Sequence, residues 1–287
     1  MILRALLSMN PQNVGWVEAV KADTHHQRAV DGYRCAQPIL HFASVQGPCA
    51  VSRRNGWLAM ALAALAALAH AGEPAPPASI AASYDVFRNG LPVAVVQETF
   101  EKSGARYRIF SESNPAGLLA LFVRTKIQIH SSGAVTPAGL RPEKFDYGRL
   151  DDTSKNVSAA FDWRAKRLHL TFDGRNETLA LPQGTQDRVS LMYQFMFLPA
   201  EKFGNLAFHM TNGKKIETYR YQLAGAEMID TPLGTMHTLR LVKQREPDDN
   251  AVEVWLAPER KFFPVKLLIV ENDGSKFEQV ITQLEFK

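Results

Sequence analysis

Histidine and cysteine are the side chains that most often bind metals or act as nucleophiles, and their spacing indicates whether they can act together. The two cysteines, Cys35 and Cys49, both lie in the first fifty residues. No Gly-rich phosphate loop and no G-x-S-x-G nucleophile motif occurs. In residues 72–287 the histidines are far apart and show no H-E-x-x-H spacing: His130, His169, His209 and His237. These patterns predict no metal site, no cofactor and no thiol nucleophile.

Paired carboxylates are the next candidates, because two neighbouring acids can act as general acid and general base. Asp151-Asp152 and Asp248-Asp249 both lie in polar segments that are typical of surface loops. Gln186-Asp187 stands at the start of a segment with helical periodicity, where an acid stabilises the first turn. We therefore assign no catalytic residue.

Apolar side chains offer another route to function, which is the binding of an apolar ligand. From Val189 onward, apolar residues recur at i, i+3, i+4, i+7 and i+8, as on one face of a helix. Thr185 is its expected N-cap, and Pro199 ends it. Methionines on such a face can form an adaptable cleft wall. The predicted ligand-binding residues are Met192, Tyr193, Met196, Phe197, Trp163 and Trp255.

The elements that would position these residues are mostly strands. Period-two alternation runs through residues 80–287, and Asn89-Gly90 is typical of a two-residue hairpin turn. Residues 132–145, which contain Pro137, Gly139 and Pro142, are predicted as a constrained loop. The expected fold class is mainly β (α+β). We expect a strongly curved antiparallel sheet, or an open half-barrel, packed on one main amphipathic helix over residues 186–198.

Composition and charge exclude several classes. The chain has 287 residues, of which 46% are hydrophobic and 22% charged, as in ordinary globular proteins. Residues 1–71 hold six Lys+Arg and three Asp+Glu, which leaves 27 basic and 26 acidic residues in the remainder. Because that remainder is nearly neutral, it carries no basic surface for nucleic acid, and we expect no nucleic-acid partner.

The N-terminal region has the pattern of an export signal. Residues 57–69 are apolar, Arg53 and Arg54 precede them, and an A-x-A site ends at Ala71. We expect a signal peptide over residues 51–71, cleavage after Ala71, periplasmic localisation and no membrane span after cleavage. Residues 1–50 are expected to be a disordered, mis-assigned upstream extension, because Val51 would be the start if its codon is GTG. A Pro/Ala tether over residues 72–79 and a single β-rich domain over residues 80–287 complete the expected organisation.

Three stretches carry a family resemblance: residues 132–145 (SGAVTPAGLRPEKF), residues 181–193 (LPQGTQDRVSLMY), and residues 255–258 (WLAP) with 263–266 (FPVK). Their order and spacing resemble the exported bacterial protein family of unknown function 3108, over about residues 80–285. That family has no established activity, so the resemblance implies no catalytic residue. The last stretch also resembles periplasmic lipoprotein carriers, which implies an open half-barrel that shelters acyl chains.

The expected function is non-enzymatic binding of an apolar or amphipathic ligand in the periplasm, such as an envelope lipid or a lipoprotein acyl chain. One alternative is an interaction module that docks an envelope protein through an exposed sheet edge, without a small ligand. Another is an enzyme acting on envelope polymers, which would need two acids converging in the cleft.

Overall fold

The computed structural model describes residues 77–122, 124–245 and 249–287. The predicted upstream extension, the predicted signal peptide and residues 72–76 of the tether lie outside these ranges. Within them, 15 strands form one sheet, and the helical segments are all short.

The first half of the sheet follows the chain order. Its strands are β1 (Ser79–Arg88), β2 (Leu91–Ser103), β3 (Arg106–Pro115), β4 (Ile127–Thr136), β5 (Gly139–Arg149), β6 (Val157–Asp162), β7 (Arg167–Phe172) and β8 (Arg175–Ala180). Two 3₁₀ turns interrupt it, at Gly117–Leu121 and Thr153–Lys155.

The second half begins with the helical region. Its strands are β9 (Gln186–Asp187), β10 (Asn205–Thr211), β11 (Ile216–Thr231), β12 (Gly234–Lys243), β13 (Ala251–Ala257), β14 (Phe263–Val270) and β15 (Lys276–Phe286). The helix α1 (Ser190–Gln194) follows β9 and continues into the 3₁₀ turn Phe195–Phe197. Further 3₁₀ turns lie at Ala200–Gly204 and Pro258–Arg260.

The sheet consists of two meanders joined at its centre. β1 to β8 lie in chain order on one side, and β15 back to β9 lie on the other. They meet where β1 pairs antiparallel with β15, so that Ser79 and Lys287 exchange two backbone hydrogen bonds of 2.8 Å. Among the described strands, β9 with β10 is the one parallel pair. The predicted Asn89-Gly90 hairpin is present between β1 and β2, with both residues at positive φ.

Alternating side chains build the core. In β1, Ile80, Ala82, Tyr84 and Val86 are buried, while the residues between them are more exposed. Because successive side chains in a strand point to opposite faces, one face of each strand contributes to a shared interior. Phe100 on β2 lies 5.3 Å from the ring of Tyr193, which shows that α1 occupies this interior.

The sheet curls until its two halves touch, but no hydrogen-bonded ladder closes it. β8 and β9 are its edges. Side chains join the halves instead: Gln186 Nε2 donates to the Leu140 carbonyl at 2.8 Å, and Lys214 Nζ reaches the Asp173 carboxylate at 2.8 Å. The prediction of a mainly β, open, curved sheet is therefore confirmed.

The main amphipathic helix is not present. The prediction placed it over residues 186–198, whereas α1 spans five residues and Gln186 and Asp187 belong to a strand. The physical reason is the side chain of Asp187, whose hydrogen bonds start the helical turn only after Val189. Thr185 is not the N-cap, since its hydroxyl donates to the Pro182 carbonyl at 2.8 Å. The segment is also buried on more than one face, including Leu191 and Phe195.

The sharp turn predicted before Phe145 is present, but the loop is shorter than predicted. The turn holds only Pro137 and Ala138, and Gly139 and Pro142 belong to β5 of the β4–β5 hairpin. Pro142 is tolerated within β5 because it faces Gly133, next to a register shift in the pairing. A proline can occupy such an irregular position, since the missing N–H is not needed there.

Candidate functional site

Asp187 fixes the segment that leads into α1. Its Oδ1 accepts hydrogen bonds from the backbone N–H of Val189 at 3.0 Å and of Ser190 at 2.9 Å, and its Oδ2 accepts one from Ser131 Oγ at 2.5 Å. Burial raises the pKa of this carboxyl, and the hydrogen bonds from Ser131 and Ser190 oppose that rise. Both oxygens are engaged, so Asp187 holds the turn that precedes α1 and links it to β4.

Two glutamines hold the same segment on the β4–β5 hairpin. Gln194 Oε1 accepts from the Leu140 N–H at 2.7 Å, and its Nε2 donates to the Ala138 carbonyl at 2.9 Å. Gln186 donates to the carbonyl of Leu140. Gly139 has φ +100°, and a Cβ there would overlap the Gln194 amide. The hairpin turn and the helix therefore form one rigid unit.

A pocket of about 130 Å³ lies beside this unit, between α1 and the strands of the second meander. Strands β1, β2 and β10–β15 contribute to its walls. Its apolar lining includes Val86, Leu191, Met192, Met210, Val252 and Phe277. Concave sites with apolar walls and a few polar groups are the usual form of small-molecule binding sites.

Glu98 is the buried acid of this pocket. The residue is 7% exposed and accepts hydrogen bonds from Ser111 Oγ at 3.0 Å and from Tyr193 Oη at 3.3 Å. Burial raises the pKa of its carboxyl to about 7, against the lowering effect of these two hydrogen bonds. Burial also raises the pKa of Tyr84 and Tyr193, and the nearby Glu98 charge adds to the rise.

The other charges of the pocket are mostly paired. Lys243 is 5% exposed, pairs with Asp249 and lies 4.3 Å from the ring centre of Tyr219. Lys266 Nζ lies 2.6 Å from Glu278.

Glu217 and Arg188 complete the charged lining of the pocket. Glu217 lies 2.8 Å from Lys215. Arg188 makes no such pair with any residue that the structure describes. Its guanidinium lies over the rings of Tyr147 and Phe145, at 4.7 and 5.7 Å from their centres.

Of the four predicted binding residues near α1, Met192 lines the pocket. Tyr193 is 1% exposed, stacks on Phe100 and meets the ring of Phe263 edge-on in the core, although its hydroxyl reaches Glu98. Met196 and Phe197 are partly buried and pack against the core. Met192 packs against the same core, so the two methionines differ in that the pocket lining includes Met192 and not Met196.

The two predicted tryptophans do not line the pocket. Trp163 stacks on Phe161 at 5.9 Å and donates to the Pro142 carbonyl at 2.5 Å. Trp255 is 5% exposed, and its indole N–H contacts Glu227. Each indole N–H has a hydrogen-bond partner within the protein.

Sequence reasoning missed Glu98 and Arg188. Glu98 lies in β2 at a position where the alternation predicts a buried residue, and a lone acid at such a position is the signal that could have found it. Arg188 directly follows the Gln186-Asp187 pair that the sequence analysis singled out. No spacing rule marks either residue, because each comes from a different element.

Of the paired-acid candidates, Asp249 lines the pocket, and Asp151 and Asp152 do not. Asp151 pairs with Arg149 and contacts Thr125, which lowers the pKa of its carboxyl. Asp152 caps the Thr153–Lys155 turn, and Asp248 lies outside the described residues. In the described part of the chain, no three His, Cys, Asp or Glu side chains are grouped as a metal site.

Comparison with known proteins places the chain in a family. The model for the family "Protein of unknown function (DUF3108)" matches residues 83–282. The chain belongs to this family. The predicted resemblance to family 3108 is thereby confirmed, and no curated protein matches the sequence.

The DUF3108 chain shares its fold with a solved structure. It resembles a β-barrel-like protein of family DUF1849 from Brucella abortus, at 9% identity and a TM-score of 0.51, over 74% of this chain and 99% of that one. A candidate lipoprotein from Parabacteroides distasonis matches at 7% identity and a TM-score of 0.31, over 74% and 97% of the two chains. A candidate exported protein with a YmcC-like fold from Bacteroides fragilis matches at 10% identity and a TM-score of 0.33, over 74% of this chain and 97% of that one. In the described ranges, no helix has the length and apolar character that crossing a membrane requires.

The three family stretches meet in the structure around α1. Residues 132–145 form the hairpin that Gln194 holds, and residues 181–193 lead into α1. In the third stretch, Phe263 contacts the ring of Tyr193 at 5.7 Å, and the Pro264 carbonyl accepts from Tyr84 at 3.1 Å. The stretches that carry the resemblance to DUF3108 therefore build one wall of the pocket and its support.

Proposed function

We propose that this protein is a non-enzymatic, exported protein that binds the apolar part of an amphipathic ligand in the pocket beside Met192. The ligand class is an envelope lipid or an acyl chain of a lipoprotein. The observation that carries the proposal is an apolar-walled pocket within the family-matched region, with an adaptable methionine in its wall.

The size of the pocket limits what it binds. An engineered apolar protein cavity of about 150 Å³ binds benzene. A pocket of about 130 Å³ therefore accommodates a ring or a short run of methylenes, and not a whole long acyl chain. We propose that the remainder of the ligand lies outside, along the pocket mouth.

The proposed place of action is the periplasm. The support is the apolar run over residues 57–69, preceded by Arg53 and Arg54 and followed by an A-x-A site ending at Ala71. N-terminal sequencing of protein recovered from the periplasm is expected to begin at Gly72. Recovery of peptides from residues 5–50 would contradict the proposed start of the signal peptide.

The first test of binding is native mass spectrometry of protein purified from the periplasm, in which a bound lipid mass is expected.

The second test measures uptake of a fluorescent fatty-acid probe by the variant Met192→Ala. We expect weaker uptake, with a stability loss of about 1 kcal/mol or less, because contacts of Met192 toward the pocket are incomplete. Met196→Ala is the matched control, since Met196 does not line the pocket. The proposal is rejected if the purified protein carries no lipid and if Met192→Ala and Met196→Ala take up the probe equally well.

A second candidate function is docking of an envelope protein on the edge strand β8. That strand lies at one edge of the sheet and is largely exposed. It carries Arg175 and Glu177, and charges on an edge strand oppose pairing with another chain. We therefore place docking behind ligand binding.

A further inference from the structure

Arg188 occupies an unusual position in the pocket wall. The residue is only partly exposed, and its guanidinium lies over the rings of Tyr147 and Phe145. Stacking of this kind satisfies the flat faces of a guanidinium. It leaves the five N–H donors, which lie in the plane of the group, free to bind acceptors.

Within the described ranges these donors have no partner. The Nε of Arg188 is buried and has no hydrogen-bond partner there. Among the described residues no carboxylate lies within ion-pair distance of Arg188, and Asp187 next to it is occupied by Ser131, Val189 and Ser190. A buried donor without an acceptor destabilises the protein, and the effect is larger for a charged group such as arginine than for a neutral one. Burial lowers the pKa of Arg188 to about 10, so the group still carries its charge at neutral pH.

The other cations of the pocket differ from Arg188. Lys243 pairs with Asp249, and Lys266 pairs with Glu278. Arg188 is thus the pocket cation whose charge the described residues leave unpaired. A second unsatisfied donor lines the same pocket: the hydroxyl of Tyr221 is buried and has no partner among the described residues. Glu217 also lines the pocket: its Oε1 pairs with Lys215 at 2.8 Å, while its buried Oε2 has no hydrogen-bond partner among the described residues.

We propose that Arg188 binds the anionic head of the ligand, a carboxylate or a phosphate, while the apolar part of the same molecule occupies the pocket beside Met192. The inference rests on the proposed function and narrows its ligand class to anionic amphiphiles. Arginine presents parallel N–H donors that match carboxylate and phosphate oxygens. The Tyr221 hydroxyl offers one further donor to the same anion.

The test compares three probes of equal chain length: a fatty acid, an alkyl phosphate and the neutral fatty alcohol. The wild-type protein is expected to bind one of the anionic probes at least tenfold more tightly than the alcohol, because hydrogen bonds to charged groups are worth about 1.5–3 kcal/mol. The anion that is preferred distinguishes a carboxylate from a phosphate head. Arg188→Gln is expected to remove this preference and to change alcohol binding less than about twofold.

Two further variants control the experiment. Arg175→Gln removes an exposed arginine that also stacks on an aromatic ring, Phe172, at 4.9 Å, but lies outside the pocket. It is expected to bind all probes as the wild type does. Arg188→Lys keeps the charge without the planar donors and is expected to restore part of the preference, even if Arg188→Gln folds poorly.

The outcomes separate the two proposals. Alcohol binding without any anion preference in the wild type would support the pocket and overturn the role of Arg188. An anion preference that persists in Arg188→Gln would also overturn it. Failure of all three probes to bind the wild type would overturn both the role of Arg188 and the proposed function.

Discussion

Glu98 couples the stability of the protein to pH. Burial raises the pKa of this carboxyl from 4.5 to about 7 in the folded state. Between these values the folded protein holds a proton that the unfolded chain has released. The contribution of Glu98 to the free energy of unfolding is therefore fully present below about pH 4.5 and is lost as the pH rises through about 7. The expected loss is on the order of 3 kcal/mol.

Urea unfolding between pH 4.5 and 8 checks this prediction. Glu98→Gln is expected to lack this contribution, so the difference between variant and wild type should change with pH over the interval. Glu101→Gln is the matched control on the same strand, because Glu101 is exposed. If the curves of Glu98→Gln and the wild type run parallel, Glu98 does not titrate in this range.

The site could be predicted only in part from the sequence. Helical periodicity identified Met192, because apolar spacing is visible in one segment of the chain. Glu98 and Arg188 have no such pattern, since each is a single charged residue on a different element. Their properties arise from burial, which depends on how the two meanders curl toward each other. A local sequence motif does not encode how closely the two meanders approach each other.

At the scale of elements, the turn at Gly139 is the sensitive point. Gly139→Ala is expected to lower the free energy of unfolding by about 2–3 kcal/mol, because a Cβ at φ +100° is strained and would displace the Gln194 amide from Leu140 and Ala138. Equilibrium unfolding in urea measures the effect.

Gly174→Ala is the control for Gly139→Ala. Gly174 has φ +73°, but a Cβ there would meet nothing within 4 Å. This variant carries only the backbone strain, about 1 kcal/mol. Equal losses in the two variants would show that the Gln194 contacts do not stabilise the fold.

Most strands were predictable because alternation and turn residues are local signals. Asn89-Gly90, for example, forms the expected hairpin. The β4–β5 hairpin was missed because Pro137, Gly139 and Pro142 are typical of loops, and the bulge that accepts Pro142 is visible only in the pairing with Gly133. The helix was overextended because periodicity does not reveal that Asp187 caps a turn starting after Val189.

At the scale of the whole molecule, β1 and β15 are far apart in sequence but paired in the sheet, so folding must bring these two strands together. In the described part of the chain, every other pairing joins strands that follow each other in sequence. Ser79 and Lys287 are adjacent, so a short linker can join them. A circular permutant opened between Gln183 and Gly184, which are both exposed, would convert the sheet into one continuous meander. Because its long-range pairing becomes a hairpin, we expect it to refold faster than the parent chain.

A second permutant controls for the linker itself. Joined in the same way but opened between Asn89 and Gly90, it turns the β1–β2 pairing into the long-range one. Its refolding rate in stopped-flow experiments should remain close to that of the parent. If the two permutants refold at the same rate, the β1–β15 contact does not limit folding.

The position of β1 also has a consequence for biogenesis. A chain that emerges N-terminus first, from a ribosome or a translocation channel, releases β1 at the beginning and β15 at the end. Strands β2 to β8 can join β1 one hairpin at a time as they appear. The edge of β1 that pairs with β15 stays unpaired until the eleven residues of β15 are released. During that interval the edge is open to wrong partners. The exposed edge of β1 is therefore covered, and protected from pairing with another chain, only when β15 has been made.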